Sequence, residues 1–357
     1  MTSAAPPEVS QRSAALARAR TRRAVRRLTV LTGPDPISER RSIRLGGAEH
    51  TLLIRGTDRS NPVLLYVHGF MDPAIPSARE LGWVSGLEER YVVVCWERRG
   101  YGSAFRRGLD PAGMTVDQAV NDGVELVEEL QTRFGVEALH LVGHSLGAVI
   151  ALRLALRRPE QVATLTCLAP VIDNGRADLI VAERLAEAAR HSARPSLARR
   201  VRRLGAPPYP ASRALRRVDV VARSGGIYAD RRAGLPRLVA ELLWRAARTP
   251  EYRLRDIVRL AAMTSFVVNS SWDDLFGINL VEQVDSIPVP VRFIVGARDN
   301  GAPPDLVEEF VTGVAMPAGG SLLRVSRAAH FVHVERPDLI DPATIDRSHA
   351  PGPEVRS

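Results

Sequence analysis

Lysine does not occur in this sequence. All 49 cationic side chains among the 357 residues are arginine, set against 40 acidic ones, for a formal net charge of +9. Such an excess invites a nucleic-acid or other anionic partner. The arginines, however, are spread along the chain and no recognition motif accompanies them, so nucleic-acid binding is not expected. Cysteine is scarce as well. Cys95 and Cys167 lie inside apolar, strand-like runs, Val92-Val93-Val94-Cys95-Trp96 and Leu165-Thr166-Cys167-Leu168, where they read as small buried residues. Two such cysteines make no disulfide framework and suit a reducing cytoplasm, which is the expected location. No apolar run approaches the roughly eighteen residues of a membrane span, and no internal repeat is visible.

What remains fits one α/β core with an inserted subdomain. Residues 1–27 are rich in Ala, Ser, Pro and Arg and are expected to be a flexible segment. Arg22-Arg23 and Arg26-Arg27 precede Leu28-Thr29-Val30-Leu31, a superficial likeness to an export signal, but the apolar run is too short for one. Ser42 to Leu45 and His50 to Arg55 read as antiparallel strands joined at Gly46-Gly47. Val63 to Val67, Tyr91 to Trp96, Leu139 to Val142 and Val162 to Leu168 read as strands buried on both faces. Val116, Val120, Val124, Val127 and Leu130 recur at helical spacing between Thr115 and Phe134. This alternation predicts a mostly parallel sheet covered by helices on both faces, with ligands at the carboxyl ends of its strands.

The alternation stops after Pro170. Leu179 to Ala188, Ser212 to Val221, Leu235 to Ala247 and Leu254 to Phe266 suit helices, and strand character returns only at Val289 to Val295 and Leu322 to Val325. The expected organisation is therefore an eight-stranded core over 28–171 and 286–341, a helical cap over 172–285, and a disordered tail over 342–357.

One stretch carries chemistry. An apolar strand ends in Gly143-His144-Ser145-Leu146-Gly147, after which helical spacing resumes. Ser145 thus falls on a sharp strand-to-helix turn, where the strained backbone demands small residues two positions before and after it; Gly143 and Gly147 meet that demand. A serine hydroxyl needs a base and a place for the oxyanion it creates. His330, in the loop after the last strand, is the candidate base; His333 competes, but its apolar neighbours suit a packed structural histidine. Asp299, just after a strand, is the candidate acid to orient the imidazole, with Asp173 in reserve. The Phe70 and Leu146 N–H groups are the candidate oxyanion donors. His68 and His144 read as structural, the latter ordering the elbow.

Strand-His68-Gly69, Trp96-Glu97-Arg98-Arg99-Gly100-Tyr101-Gly102-Ser103, the Ser145 elbow, Gly296-x-x-Asp299 and His330-x-x-His333-x-Glu335-x-Pro337 together resemble α/β-hydrolase-fold enzymes, and among them the proline-iminopeptidase-like branch. The likeness runs from about His50 to Pro337 and implies the α/β-hydrolase fold and a Ser-His-Asp mechanism. It also implies that Glu97 sits in a structural loop. There are departures. The branch carries H-G-G-P-G where this chain has His68-Gly69-Phe70-Met71-Asp72, and usually G-G-S-W-G at the elbow. It also binds the substrate's free amine with acidic residues, whereas here the cap carries Arg199, Arg200, Arg202, Arg203, Arg216 and Arg217 in runs. Those runs are either solvated helix faces or selectors of an anionic substrate. The expected activity is hydrolysis of a small carboxylic ester or amide through an acyl-enzyme, with no metal or organic cofactor required. Aminopeptidase action, acyl transfer or other non-hydrolytic chemistry, and a catalytically silent binding module remain the alternatives.

Overall fold

The computed structural model describes residues 30–342 and Ile345, except Gly82, Ser85 and 192–194; segment 1–27 and nearly all of the tail lie outside the described residues. In chain order the elements are β1 (Ile37–Leu45), β2 (Ala48–Gly56), β3 (Val63–Val67), α1 (Ala74–Leu81), β4 (Val92–Glu97), α2 (Val116–Phe134), β5 (Leu139–His144), α3 (Leu146–Arg157) and β6 (Val162–Leu168). There follow α4 (Asn174–His191), α5 (Pro195–Leu204), α6 (Ala211–Ser224), α7 (Leu235–Arg248), α8 (Leu254–Ser271) and the short α9 (Leu280–Gln283). The chain then returns to the sheet with β7 (Val291–Gly296), α10 (Pro304–Gly313), β8 (Gly320–Val325) and α11 (Val332–Glu335).

The eight strands form one sheet in the order β1-β2-β4-β3-β5-β6-β7-β8. β2 runs antiparallel to β1 and β4, and the pairings from β4 through β8 are parallel. Alternation along the central strands divides two cores. Leu65, Val67, Val92, Val94 and Trp96 face the side covered by α2 and α3, while Leu64, Tyr66, Val93 and Cys95 face the other. Helix α2 begins where Thr115 accepts a hydrogen bond from the Gln118 N–H and ends at Gly135, whose φ of 65° suits glycine. Both cysteines are buried and unpaired, and burial pushes their thiols up.

Two elements extend past what the pattern predicts. β1 and β2 pair over nine residues each, from Ile37 opposite Gly56 to Leu45 opposite Ala48; backbone pairing is indifferent to the polar side chains that obscured β1, and Arg41 and Glu39 reach Glu129 and Arg133 of α2. Helix α5 was not expected, because Leu197 and Leu204 are its sole buried residues. Those two lie seven apart, two turns on one face, and pack with Val181, Leu185, Tyr209 and Val220. No helix among the described residues is long and apolar enough to cross a membrane.

A buried polar network fastens α2 to the sheet. Trp96 Nε1 donates to His50 Nδ1 at 3.0 Å, His50 Nε2 lies 3.4 Å from Asp122, and both Asp122 oxygens accept from Arg99 at 2.6 Å. Removing the carboxylate leaves a guanidinium buried without its counter-charge. Asp122→Ala is therefore expected to cost about 3–5 kcal/mol in a urea unfolding titration; a loss under about 1 kcal/mol, the range of an exposed pair, would contradict this assignment.

Candidate active site

Ser145 occupies the tight turn between β5 and α3 with φ 54° and ψ −120°, a conformation that L-residues avoid unless the surroundings enforce it. The surroundings are crowded enough to do so. A Cβ on Gly147 would lie 2.1 Å from the Val67 carbonyl oxygen, and one on Gly143 would lie 2.5 Å from Ala148 Cα. The Ser145 N–H is fixed to the Leu168 carbonyl at 2.8 Å, which ties the turn to β6.

The loops after β7 and β8 bring two distant residues to this serine. His330 Nε2 lies 3.0 Å from Ser145 Oγ, and His330 Nδ1 lies 2.8 Å from Asp299 Oδ2. Asp299 is fully buried, and its second oxygen accepts from the Gly301 and Ala302 N–H groups at 2.6 and 2.8 Å. The carboxylate is thereby held in one orientation. Glycine is required at 296 and 301: a Cβ at Gly296 would meet the Ala329 carbonyl at 2.3 Å, and one at Gly301 would meet the His330 ring at 2.9 Å. The helices between β6 and β7 and the link after α6 hold the same loops. Arg184 Nη1 donates to the Asp299 carbonyl at 3.1 Å, the Asn300 and Phe331 N–H groups donate to the Gly226 and Ile227 carbonyls, and Glu335 accepts from both Ala229 and Ala329 N–H.

The other sequence-singled residues fall around this line. Leu146 is the first residue of α3, so its N–H has no carbonyl within the helix to bond. Phe70 follows β3 and lines the same cleft, and among the described residues neither N–H is given to a backbone acceptor. The segment Trp96 to Ser103 shapes the Phe70 loop. Arg98 Nη2 donates to the His68 and Gly69 carbonyls at 3.1 Å each, which fixes the backbone leading into Phe70. Glu97 accepts from the Ser103 N–H and Oγ, the Ile75 N–H and Tyr252, and its deep burial raises its carboxyl above the usual range. It is a structural hub beside the site.

His68 bonds the Gly69 carbonyl, and His144 Nε2 bonds the His330 carbonyl at 3.0 Å. Burial holds both imidazoles well below their ordinary pKa. His333 is packed among Tyr66, Trp83 and His144; burial, then His330, lowers it to about 3. A ring so placed is a neutral packing element. Asp173 Oδ1 accepts from the Arg176 N–H at the start of α4, so it is spent on a helix end. Among the described residues no group of three His, Cys, Asp or Glu is arranged to hold a metal.

Ser145 and His330 open into a cleft of about 1260 Å³, counting its open mouth, walled by the Phe70 loop, α6, α7 and Trp272. Several cleft residues escaped the sequence reading as site residues, among them Asp72, Asn174, Tyr228 and Arg245. Asp72 follows the His68-Gly69-Phe70-Met71 turn directly, the only local signal that could have marked it. Asn174 and Arg245 come from α4 and α7, and Tyr228 from the link between α6 and α7, elements whose docking no local pattern discloses.

Comparison with known proteins gives the same frame. A family model described as the alpha/beta hydrolase family matches residues 64–343. The chain is 25% identical over 305 residues to the probable aminopeptidase YbaC of Bacillus subtilis (strain 168), covering 84% of this chain and 92% of that protein. Among solved structures, a proline iminopeptidase-related protein of Thermus thermophilus matches with a TM-score of 0.59 at 23% identity, over 87% of this chain and 97% of its own. The 2-hydroxy-6-oxo-6-phenylhexa-2,4-dienoate hydrolase of a Rhodococcus species matches with a TM-score of 0.58 at 18% identity, over 88% and 100%. Likenesses at these identities speak to the fold.

Asp72 is a half-satisfied carboxyl in the cleft. Ser77 Oγ donates to its Oδ1, while Oδ2 has no partner among the described residues. Burial lifts its pKa from 3.8 to about 6, against the pull of Ser77 and Arg245. Between those two values the folded protein keeps a proton that the unfolded chain has released, so stability falls as pH rises through this window and the full cost applies above it. Asp72→Asn is expected to stabilise the protein by about 2–3 kcal/mol at pH 8 and by almost nothing at pH 4. Equal gains at both pH values in denaturant titrations would contradict this.

Proposed function

The chain belongs to the alpha/beta hydrolase family, and from that membership we propose that it is a serine hydrolase of small carboxylic esters or amides. The observation that carries the reading is the unbroken line from Ser145 Oγ through His330 to Asp299, with contacts of 3.0 and 2.8 Å. His330 Nε2 takes the Ser145 proton as Oγ attacks the substrate carbonyl. Asp299 holds Nδ1 and stabilises the imidazolium that forms. The tetrahedral oxyanion rests on the Phe70 and Leu146 N–H groups, backbone donors of the kind that stabilise such a charge. His330 then protonates the leaving group, and a water repeats the sequence on the acyl-enzyme. In this reading residues 172–285 are a cap over a core of 28–171 and 286–341, and substrate enters between them. The cap bonds to the Asp299 and His330 loops, so a substrate that moves it also bears on the base and acid.

Ester hydrolysis is the first assignment. Aminopeptidase action is the second, and a specific observation favours it: the unpartnered Asp72 oxygen in the cleft could receive a substrate ammonium, and the similar B. subtilis protein is named a probable aminopeptidase. Turnover of p-nitrophenyl esters and aminoacyl naphthylamides separates the two. In either case Ser145→Ala is expected to lower kcat by about four orders of magnitude or more; equal rates for the two proteins would overturn the serine mechanism.

A further inference from the structure

Two side chains of the cleft carry donors without a hydrogen-bond partner among the described residues. Arg217, on α6, is 6% exposed, and Asn174, the first residue of α4, is 8% exposed; both line the cleft with Ser145 and Leu146. Arg217 Nε donates to Asp178 Oδ1 at 2.5 Å, which fixes the guanidinium, and its Cζ lies 6.0 Å from the centre of the Trp272 ring. Among the described residues Arg217 Nη2 and Asn174 Nδ2 have no hydrogen-bond partner. A buried donor left unmet is costly, and a charged one more so. Acceptor oxygens on a bound ligand would recover that cost.

Position singles out Arg217 from the arginine runs. Arg199, Arg200, Arg202, Arg203 and Arg216 do not line the cleft; Arg200 pairs with Asp219 at the surface and Arg216 bonds the Arg203 carbonyl. The cleft's other arginine, Arg245, lies 3.9 Å from Glu241. The alternative left open by the sequence thus comes down to one guanidinium and one amide.

We propose that Arg217 and Asn174 form a carboxylate-binding subsite, and that the substrate is an ester whose acyl chain ends in a free carboxylate. This rests on the serine-hydrolase reading and names its substrate class. A planar carboxylate offers two oxygens to two donors, one of them cationic. A phosphate dianion suits the site less well, because Asp178 already balances part of the Arg217 charge and Asp72 and Glu241 share the cleft. The wall gives the direction. Phe70, whose N–H faces the reacting carbonyl in the proposed mechanism, packs its ring 5.8 Å from Trp272, and Trp272 lies beside Arg217. An acyl chain laid along Phe70 and Trp272 therefore leads from Ser145 toward Arg217.

The test compares, for the full-length protein, p-nitrophenyl monoesters of glutaric, adipic and pimelic acid with the neutral pentanoate, hexanoate and heptanoate esters, after subtraction of uncatalysed cleavage. The expected result is a kcat/KM at least about tenfold higher for one or more carboxylate esters than for its neutral partner. Arg217→Met and Asn174→Ala are each expected to bring that ratio toward one, with the loss carried by KM. Arg217→Met also strands Asp178, so Asn174→Ala, which leaves that ion pair whole, is the variant that decides if the first fails to fold. Neutral esters cleaved as well as or better than every carboxylate ester, or a ratio unmoved in Asn174→Ala, would overturn the subsite and leave the hydrolase reading standing. No turnover in either series by folded protein would count against the hydrolase reading and the subsite together.

Discussion

The contact on which the rest of the site depends is the close passage of the Val67 and His68 carbonyls over Gly147, where an added Cβ would sit 2.1 and 2.5 Å from those oxygens. This passage lets β3 and β5 pair while α3 starts immediately beyond β5, with no room for a relaxed loop. Ser145 takes a positive φ of 54° in closing so short a link. Three placements follow from it. The side chain is lifted out of the sheet, the Leu146 N–H is stranded at the head of α3, and the chain leaving β3 passes within reach of the elbow, with Gly69 against Ser145 and His144. Backbone strain of about 1–3 kcal/mol is held there by the packed strands on either side.

The second dependence joins the inserted helices to the sheet. They line the cleft, and they also bond to the loops carrying Asp299 and His330, through Arg184, Gly226, Ile227 and Ala229. Glu335 is shared between Ala229 and Ala329, one on each side of this junction. Burial raises its carboxyl even as those two N–H groups lower it. Cleft walls and the loops carrying Asp299 and His330 therefore form one mechanical unit, and under the proposed function substrate preference and catalytic alignment respond together to changes in these helices.

Much of this was legible in the sequence because it is local. The strand-turn-helix at Ser145 is written in the glycines flanking it, the parallel sheet in its runs of Val, Leu and Ile, and α2 in its Thr115 start, Gly135 stop and apolar stripe. Ser145, Asp299 and His330 could be named because each lies just past the carboxyl end of a strand, where a parallel sheet gathers its loops. What the sequence hid is tertiary. α5 buries two leucines among arginines, too few to register as a stripe. Arg217 belongs to a run whose other members face solvent, and only the docking of α6 sets it apart. Asp72 and Asn174 look like ordinary turn and helix-start residues until the cleft forms around them. The departures from the iminopeptidase pattern at Phe70 and Leu146 likewise left substrate choice undetermined, since much of the cleft wall comes from helices that pack across more than a hundred residues of chain.

The central claim is covalent: the substrate's acyl group passes through Ser145 Oγ. The most direct measurement is rapid acid quench of the protein with a p-nitrophenyl ester during the first turnover, followed by intact and peptide mass analysis. The account predicts a mass increase equal to one acyl group, carried by the peptide containing Ser145 and released as turnover ends. Turnover with no acyl adduct at any time, or an adduct on a different residue, would contradict it.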